Sequence, residues 1–421
     1  GMTEGKSDVA EIIHRRSDCR ACGSAELELF FSLKPTPIGD AYVTADKVDV
    51  PQPSYPIDLF MCQRCGLAQL IDIIDPNVLY GDYIYVTASS LGLAEHFGGY
   101  ADAVIKRTNL RPGSLVVDLG SNDGTLLKQF KSRGMNVLGV EPASHIAAEA
   151  TAAGVKTVDR FFTPSVARQL AAEFGHARVV TANNVFANID DLKTWVYGID
   201  ALLAPDGVFV CESYYLADVL QNMVFDFIYH EHLSAFSVRP IQALFARAGL
   251  ELAAVERVPT KGGSLRYFVH RPGGPVANDR SVKELLALEE RMGLYRKETY
   301  STFAANVNGL KGGTKALLAK LKAEGKSIAA FGASITGTTL IYHFEIGEFL
   351  DFLADDNPAK QGRFSPGLHL PVLPSASLCQ RQPDYVVILA WRFAGEIIRK
   401  NQAYLDRGGH FIVPVPELKV I

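Results

Sequence analysis

The sequence predicts an α/β chain in three parts: a small N-terminal domain fastened by metal-bound cysteines, a central doubly wound parallel sheet, and a C-terminal helical segment leading into a second Rossmann-like α/β unit. Two observations carry this expectation. The motif C-x-x-C-G occurs twice near the N-terminus, at 19–23 and 62–66. A strand running into a glycine turn and then a helix also occurs twice, at 115–130 and again from 327. Strands alternating with helices are the pattern of parallel sheets with crossover connections. The expected boundaries are 1–79, 80–280 and 281–421, in keeping with a chain of 421 residues, which typical domain sizes divide into about three.

Composition excludes several classes. A net charge of −4 with no basic run argues against a nucleic-acid partner. No apolar stretch approaches the roughly 18 residues of a membrane span. The first residues are polar and lack the apolar centre of a signal peptide, and Gly1 before Met2 reads as a tag-cleavage scar. The expectation is a soluble cytoplasmic protein, monomeric or a small homo-oligomer.

Taking the parts in order, Cys19, Cys22, Cys62 and Cys65 come first. Two C-x-x-C knuckles place four thiolates around one zinc, and the trailing Gly23 and Gly66 let the backbone turn tightly beside the metal. Disulfides do not suit a cytoplasmic chain, and a redox C-x-x-C is single and opens a helix. Four cysteines leave no open coordination position, so the zinc is structural. Cys211 and Cys379 stand alone and read as apolar fillers.

In the central part, LVVDLGSNDGTLL begins with a buried strand at 115–117. Gly120 and Gly124 bracket a turn, and a helix follows from Thr125 to Phe130. No Gly-Lys-Ser/Thr follows the turn, so it is not a P-loop. A second strand, Asn136–Val140, ends in Glu141-Pro142, placing an acid about 20 residues after the turn, where it suits ribose hydroxyls. A third strand over 178–182 ends in Asn183-Asn184. A fourth, over 207–212, follows a turn at Ala204-Pro205-Asp206. Beyond 270, apolar residues at three- and four-residue spacing predict helices over 281–325. A strand from Ser327 then enters the second glycine turn, between Gly332 and Gly337, which either cradles a phosphate or packs tightly. Strands over 349–354 and 385–390 complete that unit.

The stretch FDFIYHEHLSAFS sets Tyr229, His230, Glu231 and His232 in a row among apolar neighbours. Histidines two apart do not share a helix face, which excludes a helical zinc-protease motif. A base, an orienting carboxylate and hydroxyl or imidazole donors within four residues suit removal of a proton beside a carbonyl and stabilisation of the enolate oxygen.

The central sheet resembles that of S-adenosylmethionine-dependent methyltransferases. This likeness places the methyl donor at Asp118, Gly120, Ser121, Asn122 and Asp123, with Glu141 and Pro142 at its ribose and Asn183 and Asn184 at the neighbouring strand tip. The ordered set of both C-x-x-C knuckles, DLGSNDG, IYHEHLSAFS, GGSLRYF, KQGRFSPGLHLPV and PDYVVILAWRFAGEI is similar to the zinc-containing sugar C-methyltransferases over nearly the whole chain. Members of that family methylate a carbon next to a ketone on a nucleotide-linked deoxysugar. The resemblance implies His232 as base, with Tyr229 and Glu231 near the substrate. In YGDYIYVTASS, it makes Tyr83 and Tyr85 candidates to close over the sugar. The substrate contacts it implies are His230, Gly263, Ser264, Arg266, Gly332, Thr336, Lys360, Arg363 and Trp391.

Two positions depart from that family. Asn188 stands where a histidine is common, and asparagine donates hydrogen bonds but shuttles no proton. Thr336 stands where the C-terminal glycine turn commonly carries a lysine. Two further readings therefore stay open, a different activated ketone as acceptor and a non-catalytic ligand-binding relative.

Overall fold

The computed structural model describes residues 12–80 and 93–421. Near the N-terminus β1 (Leu27–Thr36), β2 (Tyr55–Cys62) and β3 (Ala68–Leu70) form an antiparallel meander. At its head Gly23 N–H donates to the Cys19 carbonyl at 2.8 Å and Gly66 N–H to the Cys62 carbonyl at 2.9 Å. Both glycines have left-handed φ, +78° and +85°, so the two knuckles are built alike. A Cβ on Gly66 would lie 2.6 Å from the Tyr295 ring, a second reason for glycine there.

The central sheet follows α1 (Leu93–Thr108). It comprises β4 (Leu115–Leu119), β5 (Asn136–Val140), β6 (Thr157–Val158), β7 (Ala177–Thr181) and β8 (Leu203–Tyr214), with α2 (Thr125–Ser132), α3 (Ser144–Ala152), α4 (Pro164–Phe174) and α5 (Leu192–Leu202) between them. Strand β9 (Ser234–Ala235) leaves to join β3 of the N-terminal sheet. After α6 (Val238–Ala246), β10 (Glu251–Val258) and β11 (Ser264–His270) return to the central sheet. Its order is β10-β11-β8-β7-β4-β5-β6, with β11 antiparallel to both neighbours. The parallel strands read as continuous apolar runs because both faces are covered; Val116, Val117, Val179 and Val180 are fully buried.

The expected turn at Ala204-Pro205-Asp206 is instead an irregularity inside β8. Leu203 pairs with Ala177 and Val208 with Val179, so six residues of β8 span three of β7. Proline has no N–H to give a ladder and is accommodated at such a bulge.

Two helices, α7 (Ser281–Met292) and α8 (Lys297–Ala323), lead into the last sheet. It contains β12 (Ile328–Phe331), β13 (Leu353–Ala354), β14 (Val372–Leu373), β15 (Tyr385–Ile388), β16 (His410–Val413) and β17 (Lys419–Val420), with α9 (Ile335–Phe344) after β12. The order β14-β13-β12-β15-β16-β17 is again doubly wound. The strand expected over 349–354 shrinks to Leu353–Ala354, because 347–349 coil into a 3₁₀ turn. Among the described residues, no helix is long and apolar enough to cross a membrane.

Arg247 donates to the Ala21 carbonyl at 2.6 Å and Arg239 to the Arg64 carbonyl at 2.9 Å, and a third arginine ties the first knuckle in more deeply. Arg20, inside the first C-x-x-C, has a fully buried side chain. It donates to the carbonyls of Leu233 (2.9 Å) and Leu70 (2.7 Å) and pairs with Asp190 at 3.2 Å. Arg20→Met removes the guanidinium donor from the Leu70 carbonyl and one of the two donors to the Leu233 carbonyl, which also accepts from Leu70 N–H, at about 1–3 kcal/mol in all. The expected result is a drop of that order in chemical-denaturation stability, and an unchanged midpoint would refute the role.

Candidate active site

The four knuckle sulfurs lie within 4.8 Å of one another, with Cys19 and Cys65 Sγ 3.6 Å apart and Cys22 and Cys62 Sγ also 3.6 Å apart. Disulfide sulfurs would be separated by about 2.05 Å. Zinc–sulfur bonds of about 2.3 Å in a tetrahedron give edges of about 3.8 Å, so the cysteines fit zinc. Gln69 Nε2 donates to Cys19 Sγ at 3.2 Å, and Arg20 brings a positive charge beside thiolates that outnumber the charge of the ion.

The Tyr229–His232 row forms a turn between the 3₁₀ segment Phe225–Phe227 and β9. It is clamped from the N-terminal sheet: His230 Nε2 donates to the Tyr55 carbonyl on β2 at 3.1 Å, and Leu70 N–H donates to the Leu233 carbonyl at 2.9 Å. His230 thus turns toward β2.

His232 faces the other way. Its Nδ1 lies 2.7 Å from the Phe227 carbonyl. A carbonyl only accepts, so Nδ1 carries the proton and Nε2 holds the lone pair. No described residue hydrogen-bonds Nε2. Burial, with Lys261 adding a nearby positive charge, lowers the imidazole to about 3, so it is neutral at physiological pH. Tyr229 stacks on it with ring centroids 3.9 Å apart, Tyr214 at 4.7 Å and Phe227 at 5.8 Å. Aromatic faces attract a cation, so this box stabilises the imidazolium more than the imidazole. Burial raises the Glu231 carboxyl to about 7, with Asp40 contributing. Its Oε2 is buried without a partner among the described residues.

At the central strand tips, Glu141 accepts from Asn122 N–H (3.0 Å) and Ala143 N–H (2.9 Å), so the expected ribose acid also holds the glycine turn. Pro142 lies between these contacts. Asp118 accepts from Thr181 Oγ1 at 2.7 Å, and burial raises it to about 7. Asn122 and Asn184 adopt left-handed backbone, φ +53° and +59°, which asparagine tolerates. Asp123 Oδ1 accepts from the N–H of Thr125, the first residue of α2, at 3.1 Å. Asn183 Oδ1 accepts from Tyr100 Oη and Glu212 N–H, both at 2.9 Å, leaving its Nδ2 buried and unpartnered, as is Ser121 Oγ. Two orphaned polar atoms at adjoining strand tips fit a bound amino-acid-nucleoside donor. Gly120 has φ +72°, and a Cβ there would press on Val185 at 3.1 Å.

The remaining candidates separate. Gly332, Thr336 and Trp391 line one cavity of about 180 Å³ together with Asp226 and Arg392. Lys360 instead pairs with Asp40 and lies 4.4 Å over the Tyr42 ring, while Arg363 reaches the Tyr42 carbonyl at 3.4 Å. Arg266 sits between Glu212 (3.0 Å) and Glu256 (3.2 Å), and Ser264 Oγ donates to the Thr260 carbonyl at 2.9 Å. A Cβ on Gly263 would lie 2.3 Å from Asp218, which explains that glycine by packing. Asn188, in a 3₁₀ turn, keeps a buried, unpartnered Oδ1 two residues before Asp190, the partner of Arg20. Tyr83 and Tyr85 lie outside the described residues.

Sequence reasoning missed Arg20, Tyr214, Asp226, Lys261 and Arg392. Four of them sit beside or within motifs already singled out: Arg20 between the first cysteines, Asp226 in FDFIYHEH, Lys261 directly before GGSLRYF, and Arg392 after Trp391. Their neighbours were the available signal.

Comparison with known proteins follows this geometry. Family models match a zinc-binding domain over 19–80, a methyltransferase domain over 94–255 and a C-methyltransferase C-terminal domain over 259–416. C-methyltransferase NovU of Streptomyces niveus is 35% identical over 418 residues, covering 98% of this chain and 99% of that protein. The chain belongs to the C-methyltransferase family. The enzyme is an S-adenosylmethionine-dependent C-methyltransferase with a zinc-binding domain. Among solved structures, magnesium protoporphyrin IX methyltransferase of Synechocystis PCC 6803 with bound SAH aligns at a TM-score of 0.35 and 16% identity, covering 46% of this chain and 90% of that one. The PH0226 protein of Pyrococcus horikoshii OT3 aligns at 0.37 and 15%, covering 46% and 97%.

Zinc removal should be felt beyond the knuckles, because Arg20 links them to Leu233. One zinc per chain is expected by elemental analysis, with Cys62→Ser losing it and melting several degrees lower, as metal ligation contributes folding free energy. Metal-free protein with an unchanged melting curve would refute this.

Proposed function

We propose that this C-methyltransferase acts on a carbon next to the ketone of a nucleotide-linked deoxysugar, with His232 as base. The single observation that carries the base assignment is the 2.7 Å contact that commits His232 Nδ1 to the Phe227 carbonyl and leaves Nε2 basic. Support for the substrate class comes from the motif likeness and from the cavity that gathers Gly332, Thr336 and Trp391 near the catalytic turn.

In this reading Nε2 takes the α-proton, and the C–H electron pair passes into the enolate. The bound donor supplies a methyl group on a sulfonium, which the nucleophilic carbon accepts. A base lowered to about 3 is weak in the resting site, so the site must favour the imidazolium as it forms. The Tyr229 and Tyr214 faces, the Phe227 carbonyl and the Glu231 carboxylate supply that preference. Lys261 is the cation available to the enolate oxygen; its charge already acts on His232, and its own backbone is held left-handed at φ +55°. Asn188 is a hydrogen-bond donor in the proposed set, and Tyr83 and Tyr85 remain candidates to close over the sugar. Thiolate zinc ligands suit a reducing compartment, so we place the enzyme in the cytoplasm.

Proton removal does not consume the donor. With S-adenosylhomocysteine bound, wild-type enzyme in heavy water should exchange the acidic proton of a keto-deoxysugar nucleotide for deuterium. His232→Asn should lose that exchange and about 10²–10⁴-fold in turnover. Exchange persisting at the wild-type rate in the variant would clear His232.

The pH profile tests Glu231. Its carboxyl, raised to about 7, gains charge as pH rises through that value. Since the charged form supports the imidazolium, kcat/KM should climb through about pH 7, while the ionisation of His232 falls outside the window. Glu231→Gln should lower the rate and flatten the climb; an unchanged profile would remove Glu231 from the step.

A further inference from the structure

Methylation at carbon frees one proton per turnover, and the aromatic box around His232 hinders its escape. Tyr214, Tyr229 and Phe227 stack about the ring, and Nδ1–H is committed to the Phe227 carbonyl. With both substrates seated, Nε2 faces the acceptor. A second imidazole stands nearby. His96, in the first turn of α1, has Nε2 2.9 Å from Glu212 Oε2 on β8. The Glu212 side chain is 3% exposed and that of His96 25%. The pair therefore runs from the interior to the wall of a cavity of about 460 Å³, lined also by Glu95, Tyr100, Pro259 and Arg266.

Strand geometry joins this pair to the catalytic turn. Glu212 and Tyr214 are two residues apart on β8. Side chains alternate along a strand, so both lie on one face, about 7 Å apart. Tyr214 stacks on His232 with ring centroids 4.7 Å apart. The turn from β10 to β11, which carries Lys261, starts beside Pro259 of the cavity wall. Lys261 interacts electrostatically with His232 and with Glu212.

The Glu212 carboxylate is arranged to pass a proton on and not to keep it. Arg266 pairs with Oε1 at 3.0 Å and is itself backed by Glu256 at 3.2 Å. Oε2 is left to His96. Since Arg266 already matches the buried charge, anchoring alone gives His96 no purpose there. No described residue hydrogen-bonds His96 Nδ1, so a proton can enter the ring at Nε2 and leave at Nδ1.

We propose that Lys261, Glu212 and His96 form the outlet through which the substrate's proton reaches solvent before the product leaves. Lys261 gives an N–H proton to Glu212 Oε2 and regains one from His232 Nε2, ending as the ammonium it began. Glu212 passes its proton to His96 Nε2, and the Nδ1 proton is released to solvent at the cavity. Exchange with water then restores the starting tautomer. Every member recovers its charge, and one proton leaves per methyl group transferred. The proposal rests on His232 as base.

Single turnovers of the intact enzyme with S-adenosylmethionine and a keto-deoxysugar nucleotide test it, with a pH indicator following the proton and chromatography the methyl group. In wild type the proton should appear with methyl transfer, ahead of product release. His96→Gln keeps a hydrogen-bond donor toward Glu212 but shuttles no proton. Its turnover should fall about 10²-fold, the lower end of what a positioned proton carrier contributes. Its S-adenosylhomocysteine affinity should be unchanged, and added imidazole should restore the rate in proportion to its concentration. Wild-type turnover in the variant, or a loss that imidazole leaves in place, would overturn the outlet. So would a wild-type proton that appears only with product release, a measurement that depends on no variant folding. Loss of deuterium exchange in His232→Asn beside an undiminished His96→Gln strikes the outlet alone. Full activity of His232→Asn strikes the base, whatever His96→Gln does.

Discussion

The buried guanidinium of Arg20 is the interaction on which the junction of knuckle, N-terminal sheet and central sheet depends. It sits inside a cysteine knuckle, yet its hydrogen bonds go to Leu233 after the Tyr229–His232 turn, to Leu70 on the N-terminal sheet and to Asp190 on the central domain. A buried arginine is tolerable only when nearly all its donors are matched, and here the matching groups come from three separate stretches. Four sulfur ligands make one end of this chain of contacts rigid. A zinc held by these four sulfurs would be tied to the Tyr229–His232 turn through the hydrogen bond of Arg20 to Leu233.

The same economy shapes the site around His232. Taking an imidazole out of water weakens it as a base, but it also removes competing water from the groups that face it. The stacked rings and the Phe227 carbonyl act most strongly on the charged form. With His232 as the proposed base, such a site stabilises the transition state of proton transfer rather than the resting enzyme. The turn is held in place by β9, which pairs with β3 of the N-terminal sheet.

How much was legible varied with the range of the forces involved. The central strands were readable because buried parallel strands are continuous apolar runs, and Asn136–Val140 matched residue for residue. The bulge at Pro205 was not, because it is defined by the register of a partner strand. Lys360 and Arg363 sit in a motif shared with the family, but their charges engage Asp40 and Tyr42 from the far end of the chain. No local pattern reports a contact across 320 residues.

By itself the sequence determined the cysteine pairs, the two strand–glycine–helix units and the Tyr-His-Glu-His row, since each depends on spacing within a few residues. Only the tertiary structure decided which histidine turns toward β2 and which keeps an Nε2 that no described residue hydrogen-bonds. It also decided that Arg20 ties knuckle to turn, and that Asp226 and Arg392 share a cavity. Those outcomes rest on burial and on matching donors with acceptors across domains, and both exist only once distant segments have packed.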